Sequence, residues 1–266
     1  MGQLEHPEAE WRAKLVLHYD GRNFYGWQKQ RNQRSVQGEL EYLLGRLCGT
    51  APVVTGAGRT DRGVHATGQV ASALIPGRFE EKELVRALNA LAPADLWIAS
   101  AGPVPLDFHP VLDAVSRTYL YRLGVCPRSS SPLNAPWCWP LGRQPELKAI
   151  REATGAIVGA HDFSAFAKAG QEKRGFRCDV TAAAWRASRG MVDAELLLFE
   201  ITADRFLHHM VRYLVGTLVE IGLGRRPVSE MARMLADGPV CKAGPPAPPE
   251  GLFLTQVDYS SRYEES

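Results

Sequence analysis

Little in this sequence supports metal, disulfide or membrane chemistry. Its five cysteines, Cys48, Cys126, Cys138, Cys178 and Cys241, are odd in number and scattered, and no C-x-x-C occurs. That argues against a disulfide framework or a cysteine zinc site, and for free thiols in a reducing cytoplasm. No apolar run approaches the roughly 20 residues that span a bilayer, so no membrane association is expected. The first residues, Met1 to Glu8, are polar and acidic, and read as neither a signal nor a transit peptide. The histidines lack ligand spacing: His208 and His209 are adjacent and would diverge by about 100° on a helix. His65, His109 and His161 stand alone, and there is no H-E-x-x-H, so no metal site is expected. Gly56-x-Gly58 lacks the Lys-Ser/Thr of a phosphate-binding loop, and there is no G-x-S-x-G elbow.

What is present fits a sizeable folded protein. The chain has 266 residues, 45% of them hydrophobic and 23% charged, enough for one large domain or two small ones. The net charge of +2 hardly predicts a nucleic-acid partner by itself, but its distribution is uneven. No acid lies between Asp20 and Glu39, whereas Arg22, Lys29, Arg31 and Arg34 do. Around Lys168, Lys173, Arg174 and Arg177 the only acid is Glu172. Arginine supplies 24 of the 31 basic residues, and its planar fork suits phosphate contact and stacking on bases. The segment from Asp20 to Gln30 mixes these cations with Phe24, Tyr25 and Trp27. That composition fits a groove for single-stranded nucleic acid or, equally, a loop plugged into the core.

The periodicities give an ordered series of elements. Ala13–Tyr19 reads as a strand, and Ser35 caps a helix with Val36, Leu40, Leu43, Leu44 and Leu47 on one face. Strands at 52–58 and 68–75, a helix from Glu80 to Leu91 and a strand within 95–104 complete a β-α-β-β-α-β unit. The second half repeats that order. It has a strand at 114–125, a turn-rich insertion at 127–145 and a helix at 146–158. A loop over 161–177 leads to strands at 178–188 and 191–202, helices at 208–223 and 229–236, and a last strand at 252–259. The proline-rich run Ala243–Pro249 separates the last two. The expected fold is α+β: two ferredoxin-like halves, 1–108 and 109–266, joined into a mainly antiparallel central sheet with a cleft between them.

The stretch around which the rest is arranged is Gly56-Ala57-Gly58-Arg59-Thr60-Asp61-Arg62-Gly63-Val64-His65-Ala66, with three glycines in eight residues. In extended chain Arg59 and Asp61 would point to the same side. A carboxylate beside cations stays ionised at neutral pH. That suits a nucleophile or an electrostatic stabiliser rather than a general acid; a structural ion pair bracing the loop would look the same.

Gly58-Arg59-Thr60-Asp61-Arg62-Gly63-Val64-His65-Ala66 resembles the signature of the tRNA pseudouridine synthase A family. Further blocks agree in order: Phe24-Tyr25-Gly26-Trp27-Gln28 with Ser35-Val36-Gln37-Gly38, Asp107-Phe108-His109-Pro110, Arg117-Thr118-Tyr119-Leu120-Tyr121, His161-Asp162-Phe163-Ser164-Ala165-Phe166, Phe206-Leu207-His208-His209-Met210-Val211-Arg212 and Glu250-Gly251-Leu252-Phe253-Leu254. The resemblance implies an isomerase that converts uridine to pseudouridine at positions 38, 39 and 40 of the tRNA anticodon stem-loop, as a homodimer and without a cofactor. By motif position Asp61 is the nucleophile, attacking at the base or the ribose. Arg59 pairs with it and holds the target nucleotide out of the stack. Tyr119 packs on the uracil and takes part in removing the C5 proton, and Leu252 and Leu254 lie under the base. Phe108 and His109 fall in the middle block. There the family commonly continues Ala-Arg, whereas this chain has Pro110-Val111. Arg22, Lys29, Lys168, Lys173, Arg174 and Arg212 are the expected phosphate contacts. A non-catalytic RNA-binding protein with two RRM-like halves is the alternative, and would have no need of Asp61. A nucleotide hydrolase using Asp61 and His65 is a third reading.

Overall fold

The computed structural model describes residues 10–168, 175–238 and 242–263. The chain forms two compact units. The first takes the described residues up to Val115 together with those from Gln256 onward, and the second runs from Ser116 to Thr255. Against the division expected at 108/109, the first unit continues seven residues further and also recovers a segment from the far end of the chain.

The first unit follows the expected order. It contains β1 (Glu10–Tyr19), α1 (Val36–Cys48), β2 (Thr55–Gly56), β3 (His65–Pro76), α2 (Glu81–Leu91) and β4 (Leu96–Val104). β1 lies between two antiparallel neighbours. Leu15 faces Ala71 of β3 on one side and Ala101 of β4 on the other, and β2 extends the sheet beyond β3 through Gly56 opposite Ala71. This split arrangement characterises a ferredoxin-like unit. Alternate residues of β1, Ala13, Leu15, Leu17 and Tyr19, are buried. The helices supply Val36, Leu40, Leu43 and Leu44 from α1 and Leu84 and Leu88 from α2 to the same core. α1 starts where expected because the Ser35 side chain accepts from Gly38 N, a cap worth about 1 kcal/mol.

The strand expected over 52–58 shrinks to two residues. Pro52 has no N–H to donate and Val53 is 82% exposed, so pairing begins only at Thr55. Residues from the far end of the chain close the base of the unit. Phe108 lies 5.1 Å from both Tyr259 and Tyr263, and the Tyr259 hydroxyl donates to Pro110 O at 2.9 Å.

The second unit contains β5 (Ala114–Gly124) from Ser116 onward, β6 (Trp139–Pro140), α3 (Leu147–Gly155), β7 (Gly159–Asp162), β8 (Arg177–Arg189), β9 (Glu195–Ala203), α4 (Met210–Gly222) and α5 (Ser229–Asp237). It also holds the first half of β10 (Leu252–Tyr259). Its strands run in the order β10-β5-β9-β8-β7. Tyr119 of β5 faces Ile201 of β9, and Trp185 of β8 stacks on Phe199 of β9 at 4.9 Å. α4 buries Met210, Leu214, Val215, Leu218 and Ile221, the apolar stripe visible in the sequence.

Two features of this unit depart from expectation. The supposed loop after 161 is preceded by β7, which pairs with β8. β9 starts at Glu195 rather than 191, because Val192 (φ 46°) and Asp193 (φ 55°) are left-handed and cannot continue a strand. Among the described residues no helix is long and apolar enough to cross a membrane.

Candidate active site

The glycine-rich loop between β2 and β3 is fixed from beneath by buried side chains of its own unit. Thr60 is buried, and its hydroxyl lies 2.8 Å from the hydroxyl of Tyr19 at the end of β1. Gln69 of β3 donates to that tyrosine oxygen at 3.3 Å and to Gly58 O at 2.9 Å. One amide thus ties strand, tyrosine and loop together. Burial pushes the Tyr19 hydroxyl up to about 12, against the opposing pull of its bonds to Thr60 and Gln69. It therefore stays a neutral hydrogen-bonding group across the working pH range. Tyr19→Phe strips the buried Thr60 hydroxyl of that partner. It is expected to cost about 1–3 kcal/mol, read from urea denaturation. A change of only a few tenths would mean that something else holds Thr60.

The preceding loop supplies the second anchor. Trp27 N donates to Thr60 O at 3.0 Å, and Gln37 N of α1 donates to Trp27 O at 3.0 Å. The Gly26 backbone is pressed so closely against the Thr60–Arg62 peptides that a Cβ there would lie 2.6 Å from Thr60 O. Gly26 has φ +89°, a conformation that only glycine adopts freely. On the other side, His65 is 1% exposed, accepts from Gly21 N at 3.2 Å and sits 3.4 Å from Asp20. Burial raises the Asp20 carboxyl, but the Arg22 side chain and backbone N–H that bind it, with the nearby His65, bring it below its ordinary value.

Held this way, residues 61–64 form a tight turn. Val64 N donates to Asp61 O at 3.2 Å, and Gly63 takes φ +81°. Asp61 is half-buried, while Arg59 and Arg62 on either side of it are exposed. Arg62 lies over the Tyr25 ring at 4.3 Å. Between exposed Arg59 and half-buried Asp61 lies buried Thr60.

Comparison with known proteins places the chain in a family. The model of the tRNA pseudouridine synthase family matches residues 15–113 and 153–260. The tRNA pseudouridine synthase A of Myxococcus xanthus is 42% identical over 248 residues, covering 93% of this chain and 92% of that protein. The enzyme of the same name from Afipia carboxidovorans is 40% identical, covering 93% and 99%. That from Syntrophotalea carbinolica is 37% identical, covering 93% and 96%. The chain belongs to the tRNA pseudouridine synthase family.

In this tRNA pseudouridine synthase the residues expected from sequence have unequal surroundings. Tyr119 is 9% exposed and meets Phe206 edge-on at 5.0 Å. Leu252 is 5% exposed and Leu254 fully buried. Phe108 is a core residue packed between two tyrosines, and His109 shapes its own turn, accepting from Val111 N and Leu112 N through Nδ1. Arg212 Nε donates to Ala247 O at 2.7 Å, bracing the proline-rich loop on α4. Lys168 is exposed. Lys173 and Arg174 lie outside the described residues.

The basic loop of the first unit is largely neutralised internally. Arg22 pairs with Asp20 at 2.5 Å, Lys29 with Glu41 at 2.7 Å, and Arg34 with both Asp95 at 2.6 Å and Glu39 at 3.1 Å. The Arg34 hydrogen bonds outweigh burial and hold the Asp95 carboxyl below its ordinary value.

Tyr19, Gln69 and Gly26 escaped the sequence reading as supports of the site. Gln69 did leave a signal, as the one amide in the otherwise small and apolar run Gly68–Ile75. Tyr19 left none, since a tyrosine closing a strand is ordinarily core.

Proposed function

We propose that Asp61 is the nucleophile with which this tRNA pseudouridine synthase acts on uridines 38, 39 and 40 of the anticodon stem-loop. The observation that carries the reading is the half-buried carboxylate of Asp61, in a turn fixed by buried bonds and flanked by exposed arginines. Its sequence neighbourhood, Gly58–Ala66, agrees with the family signature. A nucleophile gains from such fixing, because positioning removes orientational freedom before the reaction rather than during it.

The chemistry is an isomerisation and balances without a co-reactant. Asp61 forms a bond to the nucleoside, at the base or the ribose. The C1′–N1 bond breaks, the base turns, C1′ bonds to C5, the bond to Asp61 breaks to return the free carboxylate, and the C5 proton is lost while N1 gains one. Arg59 is read as the residue that holds the target nucleotide out of its stack, an extrusion that costs a few kcal/mol. Tyr119 is read as assisting removal of the C5 proton, and Leu252 and Leu254 as apolar support for the base. The enzyme is read as a cytoplasmic homodimer.

The test is incubation of the purified protein with unmodified tRNA, with no metal or nucleotide added, followed by mapping of pseudouridine along the RNA. Pseudouridine at 38, 39 and 40 is the expected result. Tight binding with no pseudouridine would favour the non-catalytic RNA-binding reading, and pseudouridine confined to other positions would overturn the assigned region.

A further inference from the structure

The ion pairs of the first unit separate cations whose charge is spent from cations whose charge is available. A phosphate approaching Arg22, Lys29 or Arg34 must compete with Asp20, Glu41, or Asp95 and Glu39. Arg62 differs. Among the described residues no acid pairs with it and no hydrogen bond uses its guanidinium, and it rests instead over the half-exposed ring of Tyr25 at 4.3 Å. An aromatic face attracts a cation without neutralising it. It restricts the side chain and leaves the N–H donors of the fork unspent.

The pair is also held in place. Tyr25 N donates to Arg34 O at 2.8 Å, Trp27 N donates to Thr60 O at 3.0 Å, and Val64 N closes the turn that carries Arg62. A Cβ on Gly26 would meet Arg62 N at 3.2 Å, so ring and cation face each other across two backbones in contact. Arg62 follows Asp61 directly, so a nucleotide presented to that carboxylate brings a flanking phosphate toward it.

We infer that Arg62, seated on Tyr25, binds a phosphate of the RNA strand next to the target nucleotide, with Tyr25 as its positioning residue. The inference rests on the reading of Asp61 as the residue that meets the target.

The test measures binding of unmodified tRNA over a range of salt concentrations, with pseudouridine formation by the unaltered enzyme followed in parallel. Arg62→Ala is expected to weaken binding about tenfold, the scale of one lost charge-assisted hydrogen bond. It should also reduce the slope of log K against log salt by about 0.7–0.9. Arg62→Lys should retain the slope, because it retains the charge. Tyr25→Leu should weaken binding with the slope intact, which mere loss of a charge would not do. Lys29→Ala, whose cation faces Glu41, should move the slope less than Arg62→Ala. An unaltered slope in Arg62→Ala, with the protein folded and the parent enzyme active, overturns the inference and leaves the reading of Asp61 standing. A parent protein that binds tRNA but forms no pseudouridine removes that reading and this inference together.

Discussion

An Asp61→Asn protein is expected to bind tRNA and form no detectable pseudouridine. The substitution keeps the size of the side chain and leaves in place the bonds that Val64, Tyr19 and Trp27 make to the loop. The turn is closed by the main-chain oxygen of residue 61, and Thr60 stays bonded to Tyr19 and Trp27. What is lost is the anionic oxygen. A carboxamide cannot act as the nucleophile, and removal of an essential nucleophile lowers turnover by on the order of 10³-fold or more. The measurement is single-turnover modification of unmodified tRNA beside a binding isotherm. A variant retaining a tenth of the parent rate would remove Asp61 from the chemistry, and one that lost binding to the same extent as turnover would make it a structural residue.

The second large effect lies one layer beneath. Gly26→Ala introduces a methyl group 2.6 Å from Thr60 O on a backbone with φ +89°. The left-handed conformation costs an alanine about 1–2 kcal/mol, and overpacking against a rigid neighbour adds about 1–3 kcal/mol. The neighbour here is main chain, which cannot rotate away as a side chain can. A loss of about 3 kcal/mol would lower the unfolding midpoint by roughly 6–12 °C for a chain of this size. If the loops part to make room, the Trp27–Thr60 bond is broken and Asp61 moves, so turnover falls even where the midpoint is spared. Scanning calorimetry and the modification assay together decide it. Native midpoint with native turnover would show that the two loops are not locked in the way their geometry states.

Much of the frame was legible because it depends on local pattern. The spacing of Val36, Leu40, Leu43 and Leu44 marks α1, and alternation marks β1. The order of elements in each half follows from such signals. Two of the misses share a cause, distance along the chain. A window around Arg22–Arg34 contains no acid, yet Asp95 lies 61 residues from Arg34 and bonds to it, and folding turns an apparent basic groove into a set of ion pairs. Phe108 similarly reads as an aromatic beside the middle block, and its partners Tyr259 and Tyr263 come from the far end of the chain. Left-handed Val192 carries no sequence warning at all, since β-branched residues avoid that conformation.

The aromatic trio of Phe108, Tyr259 and Tyr263 sets an order in time. The segment that bears Phe108 is translated some 150 codons before its two covering rings. The unit bearing Asp61 therefore emerges early and is sealed late. Until synthesis passes residue 263, Phe108 lacks both of the rings that pack against it.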